Sequence, residues 1–274
     1  MSTYPGGKNG SGVYQTIINQ FPPHRVYIEP FLGSGAIMRL KKPAEINIGI
    51  DKDPAAVHAW NSDAGLQPGV TVICDDAISW LASNVIPTDA LIYLDPPYIM
   101  GTRSRQRTLY RCELDDDDHR RLLQIITGLH CSIAISGYWS GMYAEALADW
   151  RLVKFQAMTR GGKMATECLW LNYLEPLELH DYRYLGDNFR ERERIKRKQA
   201  RWRNRLARMT AQERYAMLSV LDELRSTTPP GPAMVATPET TIGSHNPENG
   251  DARPSLQMAF PDPIVSSVDA IPPP

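Results

Sequence analysis

The apolar segment 91–94 ends abruptly in a carboxylate, two prolines and an aromatic ring, which are Asp95, Pro96, Pro97 and Tyr98. Such a run predicts a buried strand that leads into a rigid turn. Each proline fixes its own φ angle and keeps the preceding residue extended, so the direction of the Asp95 side chain is well defined. Ligands of open α/β sheets bind at the carboxyl ends of strands, and we therefore expect a binding site at this turn.

The turn offers two hydrogen-bond acceptors, the Asp95 carboxylate and the Pro96 carbonyl, next to the ring of Tyr98. Each acceptor can bind one N–H of an amine while the tyrosine lies against a ring face. The pattern thus favours a planar substrate that carries an exocyclic amine. From the turn alone, an ordinary loop after a strand is an equally good interpretation, because Asp-Pro often ends strands.

Six further apolar segments predict strands, and segments of helical periodicity lie between most of them. These strands are 26–31, 46–51, 70–74, 131–136, 150–157 and 167–173. The alternation of strands and helices predicts an α/β protein, and the last two strands are predicted to form a hairpin-like pair. We therefore expect a doubly wound, mostly parallel, seven-stranded, Rossmann-like sheet with an antiparallel edge.

A glycine turn between the first strand and the next helix predicts a nucleotide-like site. Gly33 and Gly35 let a ligand approach the backbone closely, and the missing third glycine favours a nucleoside-like ligand over a dinucleotide. Asp51 ends the next strand at about the 20-residue separation where an acid meets a ribose. Asp76, after the third strand, either bonds an adenine amine or caps the following helix.

Charge and cysteine content exclude several classes of protein. The 30 basic and 31 acidic residues nearly cancel, which argues against a chain that is basic throughout. The four cysteines form no C-x-x-C pair, so we expect neither a metal site nor a disulfide framework. No signal-peptide core and no run of about 18 apolar residues is present, so we expect a cytoplasmic protein without membrane contact.

A basic loop follows the Asp95 turn and contains Arg103, Arg105, Arg107 and Tyr110. Arginines next to a base-sized pocket predict contacts with nucleic-acid phosphates. A solvated loop without a partner is the alternative interpretation.

The composition changes after residue 182. The segment 183–208 has helical propensity and is crowded with arginine and lysine, which predicts an arm or a nucleic-acid surface. A second predicted helix, 211–225, carries leucines at helical spacing and could fold back on the first. The tail 226–274 is rich in proline, serine and threonine and is predicted to be disordered. We therefore divide the chain into a sheet domain (1–182), a basic helical arm (183–225) and a tail (226–274).

Four motifs occur in a fixed order along the sheet domain. They are Tyr4-Pro5-Gly6-Gly7-Lys8, Glu29-Pro30-Phe31-Leu32-Gly33-Ser34-Gly35, Asp51 and Asp95-Pro96-Pro97-Tyr98. Over residues 4–175 this ordered set resembles the Dam-like (D12 class) DNA N6-adenine methyltransferases. The resemblance implies that residues 1–182 form a methyltransferase catalytic domain of the S-adenosylmethionine-dependent fold, with S-adenosylmethionine as cofactor and DNA as partner.

The resemblance also implies roles for individual residues. It places the Asp95 turn (Asp95, Pro96, Pro97, Tyr98) around a flipped adenine. It places these residues around the cofactor: Tyr4, Lys8, Pro30, Phe31, Gly33, Gly35, Asp51 and Asp76.

One departure from the family concerns sequence recognition. Dam-like enzymes usually carry an inserted target-recognition domain, whereas Asp51 and Asp95 are separated only by what two strands and two helices need. A short or relaxed recognition sequence is therefore expected. Methylation of RNA or of a protein glutamine is an alternative, although aspartate at the first position of the motif favours adenine. A nucleic-acid-binding protein without turnover, or an unrelated nucleotide-binding protein, is a further alternative.

Overall fold

The computed structural model describes residues 7–63, 69–103, 111–159 and 162–227. Tyr4, Arg105, Arg107 and Tyr110, for which the sequence predicts roles, lie outside these ranges, as does the tail beyond residue 227.

A seven-stranded sheet forms the centre of the molecule. Its strands are β1 (Val26–Pro30), β2 (Ile46–Asp51), β3 (Val70–Cys74), β4 (Ala90–Leu94), β5 (Ser132–Gly137), β6 (Arg151–Met158) and β7 (Met164–Leu171). Their order across the sheet is β3-β2-β1-β4-β5-β7-β6. The pairs from β3 to β5 are parallel, whereas β7 is antiparallel to both β5 and β6. The predicted doubly wound, mostly parallel sheet with an antiparallel edge is thus confirmed.

Helices cover both faces of the sheet and continue beyond it. They are α1 (Val13–Ile18), α2 (Ala36–Leu40), α3 (Pro54–Asn61), α4 (Ala77–Ser83), α5 (Asp116–Thr127), α6 (Gly141–Ala146), α7 (Phe189–Ala207) and α8 (Ala211–Thr227), with a 3-10 turn at Met100–Thr102. No helix in the described ranges is long and apolar enough to cross a bilayer.

Alternate residues of the strands enter two separate cores. In β1, Val26 and Ile28 pack on one face with α4, α5 and α6, whereas Tyr27 packs on the other face with α1, α2 and α3. In β4, Ile92 and Tyr93 divide in the same way. Each buried side chain of this size contributes about 1.5–3 kcal/mol relative to exposure. Because both faces are covered, the central strands appear in the sequence as continuous apolar runs and not as alternating ones.

Aspartates begin three of the helices that follow a strand or loop. The Asp53 carboxylate accepts a hydrogen bond from the Ala55 N–H (2.9 Å), and the Asp76 carboxylate accepts one from the Ser79 N–H (2.9 Å). Asp115 accepts from the N–H of the first helical turn of α5 in the same manner. These caps satisfy amide groups that the helix itself leaves without partners, and they fix where the chain turns.

The arm is a helical hairpin attached to the sheet domain at both ends. Before α7, the buried carboxylate of Asp181 accepts a hydrogen bond from the Lys42 N–H (2.8 Å). At the end of α8, Arg225 forms an ion pair with Glu178 (2.7 Å), so the second helix folds back towards the start of the first. Neither helix contains a buried residue. The leucines of α8 are exposed.

Candidate active site

A cavity lies at the carboxyl ends of β1 and β4, where the strand order reverses. Such switch points are where open α/β sheets bind ligands. Of the site residues predicted from the sequence, the following line it: Lys8, Phe31, Gly33, Asp51, Asp76, Asp95 and Pro97. The structure therefore brings together residues that the sequence places in five separate segments.

Asp51 holds the glycine turn in place. Its two carboxylate oxygens accept hydrogen bonds from the N–H groups of Gly33 (2.6 Å) and Asp53 (2.8 Å). Burial raises the pKa of Asp51, although both N–H groups oppose the shift. Because a carboxylate oxygen has two lone pairs, Asp51 retains acceptor capacity for a ligand in the cavity.

Gly35 allows the glycine turn to pack closely against Trp60. Its φ of 60° lies in the left-handed region, and a side chain added there would overlap the indole ring of Trp60. Trp60 is buried, and the Arg39 guanidinium lies over its ring, 3.9 Å from the ring centroid. Gly35 is not among the residues that line the cavity, and its role beside the cofactor stays a prediction. Pro30 is buried at the end of β1 and is likewise not a lining residue.

The Asp95 carboxylate is held by two donors. Its Oδ1 atom accepts a hydrogen bond from Ser136 Oγ (2.9 Å) and lies 2.9 Å from the Lys8 ammonium. The same ammonium donates to the Tyr98 hydroxyl (2.6 Å) and lies 3.4 Å from Glu167 Oε2. With Lys8 only 4% exposed, these contacts form a compact buried network that orients Asp95. Pro96 is buried next to it.

Two aromatic rings lie beside this network. Tyr98 and Tyr138 meet edge to face, with ring centroids 4.7 Å apart and an interplanar angle of 67°. The Tyr98 hydroxyl donates to Glu167 (3.0 Å). Both tyrosines are partly exposed, so a flat ligand can reach them. Tyr98 and Pro96 are adjacent in sequence to the lining residues Asp95 and Pro97 and are not lining residues themselves.

Sequence reasoning missed four residues of the site: Glu29, Ser136, Tyr138 and Glu167. Glu29 lines the cavity, and the other three contact Asp95 or Tyr98. An acid inside an otherwise apolar strand is a signal that the sequence does contain for Glu29 and Glu167, because buried carboxyl groups are rare.

The structure confirms that Asp76 caps the following helix, while its bond to an adenine amine stays a prediction. It lines the cavity, and it also caps α4 and forms an ion pair with Lys52 (3.1 Å). Asp76 is therefore held in place by the helix start while part of its carboxylate faces the cavity.

The Arg103 side chain forms its contacts inside the protein. It is buried, and its guanidinium makes two hydrogen bonds to Glu113 (2.6 and 2.9 Å). Its Nε donates to the carbonyl oxygen of Tyr98 (2.8 Å). The predicted phosphate contact of Arg103 is therefore wrong, because bidentate pairing with a carboxylate occupies the guanidinium. Arg103 instead fixes the backbone that follows the Asp95 turn.

Glu29 is a carboxyl group kept largely protonated by its surroundings. It is 3% exposed, and the Tyr27 hydroxyl donates to its Oε2 (2.9 Å). Burial raises the pKa of Glu29 to about 8, and the nearby Asp95 charge adds to this shift. The fully buried Lys41 lies 4.0 Å from the centre of the Tyr27 ring, and burial lowers its pKa to about 7.

Replacing Glu29 by glutamine should change how stability depends on pH. In the folded protein the pKa of Glu29 is about 8, whereas its ordinary value is 4.5. Between these two pH values Glu29 is protonated in the folded protein and ionised in the unfolded chain. The contribution of Glu29 to the free energy of unfolding is therefore fully present below about pH 4.5 and is lost as the pH rises towards about 8. The glutamine of E29Q does not ionise, so this pH-dependent loss of stability is absent from the variant. The difference in free energy of unfolding between E29Q and wild type should therefore increase, in favour of E29Q, by about 3 kcal/mol from about pH 5 to pH 8.

Denaturant unfolding at several pH values measures this difference. Glu45, an exposed residue just before β2, offers a matched control, and E45Q should change the free energy of unfolding by no more than about 0.5 kcal/mol. If E29Q showed a pH-independent difference, Glu29 would ionise in the folded protein as it does in the unfolded chain.

The fold and the cavity define a doubly wound α/β protein with a ligand site at its switch point. No family model matches the chain, and no curated protein matches it. Among similar solved structures, the 23S rRNA methyltransferase ErmE has 12% sequence identity and a TM-score of 0.43, covering 70% of this chain and 84% of that chain. The N-methyltransferase NodS from Bradyrhizobium japonicum WM9 has 12% identity and a TM-score of 0.42, covering 61% of this chain and 94% of that chain. What this chain does is therefore inferred from its own site.

Proposed function

We propose that this protein transfers a methyl group from S-adenosylmethionine to N6 of adenine in DNA. The observation that carries the proposal is that the Asp95 carboxylate lies on the same cavity as the Gly33 turn and Asp51. One part of the cavity thus offers backbone and an acid suited to a nucleoside, and another part offers acceptors suited to an exocyclic amine. The order of the four motifs along the chain supports the same function.

The lining of the cavity fits S-adenosylmethionine. Gly33 presents backbone without a side chain, and Asp51 can accept hydrogen bonds from ribose hydroxyls. Among the described residues that line the cavity, and leaving aside the largely protonated Glu29, acids outnumber basic groups: Asp51, Asp53, Asp76, Asp95, Glu113 and Asp118 against Lys8, Lys52 and Arg111. This excess of acids suits a positively charged sulfonium. When bound, the cofactor supplies an electrophilic methyl group.

The Asp95 turn prepares the adenine amine for attack. The lone pair of N6 is delocalised into the adenine ring, so the amine is a weak nucleophile until its hydrogens are held out of conjugation. Asp95 and the Pro96 carbonyl each accept one N–H, and the carboxylate stabilises the positive charge that grows on N6. As the methyl carbon bonded to N6, its bond to the sulfonium sulfur would break, and the sulfur would keep that electron pair and leave as a neutral thioether. The positively charged N6 would then lose one of its protons to water.

The surrounding residues position these acceptors. Lys8 and Ser136 both contact Oδ1 of Asp95, which fixes the orientation of the carboxylate before the substrate arrives. Tyr98 provides a face for the flipped base, worth about 1–3 kcal/mol as base stacking is elsewhere. Positioning and electrostatic complementarity thus supply the rate enhancement.

Recognition of a short or relaxed DNA sequence follows from the same architecture. Between Asp51 and Asp95 the structure describes only α3, β3, α4 and β4 with their connections, apart from residues 64–68. Base-edge contacts must then come from short loops or from the arm.

Incubation of the purified protein with methyl-labelled S-adenosylmethionine and plasmid DNA tests the proposal. Label should appear in DNA as N6-methyladenine after digestion to nucleosides, and mapped sites should occur in many sequence contexts. Total RNA and a protein mixture serve as competing substrates in separate reactions.

Each outcome of this assay is informative. Label confined to RNA would reassign the substrate, and label in protein would replace the nucleic-acid function altogether. Absence of label in all three would indicate a binding protein without turnover. Marks restricted to one motif of four or more bases would contradict relaxed recognition.

A further inference from the structure

The exposed face of α7 carries a row of arginines. Arg190, Arg194, Arg197, Arg201, Arg205 and Arg208 follow one another in steps of three or four residues. Side chains at this spacing lie on one face of a helix. All six are exposed, and the row extends over about 27 Å at 1.5 Å per residue.

The partly buried apolar residues of α7 lie on the other side of the helix. Ile195 and Leu206 are the partly buried apolar residues of α7, and both lie well around the helix from the arginine row. Arg192, on that side, donates to the carbonyl oxygen of Gly186 (3.2 Å). The arginine row is therefore exposed to solvent along its whole length.

Little negative charge compensates the row. Glu191 and Glu193 form ion pairs with Arg194 (3.3 Å) and Lys196 (3.9 Å) at the start of the helix. From residue 194 to residue 212 the sequence contains no acid at all. Within the described residues, no ion pair involves Arg197 or Arg201. Like charges repeated along one face repel each other, so the row costs stability unless a polyanion binds it.

We propose that this arginine row binds the phosphate backbone of duplex DNA. A nucleic-acid strand presents one phosphate per about 3.4 Å along the helix axis, so the row spans several phosphates at once. Arginine suits this partner because its planar guanidinium can bind phosphate oxygens in a bidentate manner. A membrane-surface helix would need a broad apolar face opposite the charges, and Arg192, Gln199 and Arg203 occupy that side of α7.

The proposal rests on the proposed function only in naming DNA as the polymer. A row of this kind contacts phosphates and carries no sequence information, so it strengthens binding to any duplex. That property agrees with relaxed recognition, because affinity then comes from the arm while the Asp95 turn selects the base.

Two matched double variants test the row. R197Q/R201Q removes two charges from the row, whereas K196Q/R203Q removes two charges from the other side of the same helix. Affinity for a fluorescently labelled DNA duplex is measured by anisotropy at several salt concentrations, without cofactor. The full-length chain is used, and circular dichroism checks that helix content is unchanged.

The row variant should bind DNA roughly tenfold more weakly than wild type at moderate salt. Its plot of log affinity against log salt should be shallower by about 2, since each lost phosphate contact removes about 0.9 from the slope. The control variant should change affinity by less than about threefold. Equal losses in both variants, or no loss in either, would overturn the proposal.

Parallel measurements distinguish other partners and the proposed function. Tighter binding to an RNA duplex of the same sequence, or row-dependent binding to anionic lipid vesicles in place of DNA, would overturn the assignment to DNA. Methyl transfer to DNA is assayed separately. DNA binding that depends on the arginine row, without methyl transfer, would support the role of the row and contradict the proposed function. Methyl transfer to DNA together with unchanged DNA affinity in R197Q/R201Q would support the proposed function and contradict the role of the row.

Discussion

Replacing Asp95 by alanine is expected to lower methyl transfer by at least 100-fold while the cofactor still binds. Loss of one preorganised group that stabilises charge in a transition state typically costs about 10²–10³ in rate. The substitution removes the acceptor for the adenine amine and leaves Asp51 and Gly33, which we assign to the cofactor, with their mutual hydrogen bond of 2.6 Å. Label incorporation measures the first effect, and calorimetric titration of the cofactor measures the second.

Asp89 provides the control for this experiment. It precedes the same strand, and its carboxylate forms an ion pair with Arg25 (2.7 Å) at the opposite end of β4 from Asp95. D89A should therefore keep both methyl transfer and cofactor binding close to wild type. Full activity in D95A would refute the proposed mechanism. Loss of cofactor binding in D95A would mean that Asp95 belongs to the cofactor site and not to the amine site.

Gly35→Ala is expected to be the most destabilising single-methyl change in the sheet domain, costing about 3 kcal/mol or more. Left-handed backbone costs a residue with a side chain about 1–2 kcal/mol. Forcing a methyl group against well-packed side chains costs a further 1–3 kcal/mol or so. Both apply at Gly35, where φ is 60° and the added carbon would meet the Trp60 ring. Denaturant unfolding measures the sum.

Two comparisons separate the contributions. Gly12 also has a positive φ, of 92°, but an added carbon there meets nothing within 4 Å, so G12A should show only the backbone cost. In a W60F background the part of the ring nearest to Gly35 is absent, so adding G35A should cost less than it does in wild type. An equal cost in both backgrounds would show that contact with Trp60 does not matter.

The strands were predictable because the burial of both sheet faces makes them visible as apolar runs. Each predicted strand lies within three residues of its observed limits, including β1 and β4 on either side of the cavity. Helix α6 was missed because it has only six residues and contains glycine at its first position. A segment of that length owes its helicity to packing, through the buried Tyr143, more than to intrinsic propensity.

Residues of the candidate active site could be predicted from the sequence only where one short segment contains the whole signal. Asp51 and Asp95 each lie at the carboxyl end of a strand. Parallel strands place their carboxyl ends at the same edge of a sheet, so both residues are expected there. The contact between Lys8 and Asp95 joins residues far apart in the chain, and no periodicity indicates it. Arg103 was misinterpreted for a related reason. An arginine in a loop is usually solvated, and only the tertiary structure shows that Glu113 buries and pairs it.

The position of β7 in the sheet determines when the candidate active site can form during synthesis of the chain. β6 precedes β7 in sequence but joins the sheet only through it, since β7 lies between β5 and β6. A growing chain that has not yet produced residues 164–171 leaves β6 without a neighbouring strand and lacks Glu167, the partner of Lys8 and Tyr98. Lys8, near the amino terminus, can therefore form its complete set of contacts only after β7 has been synthesised, and the candidate active site is completed late in synthesis.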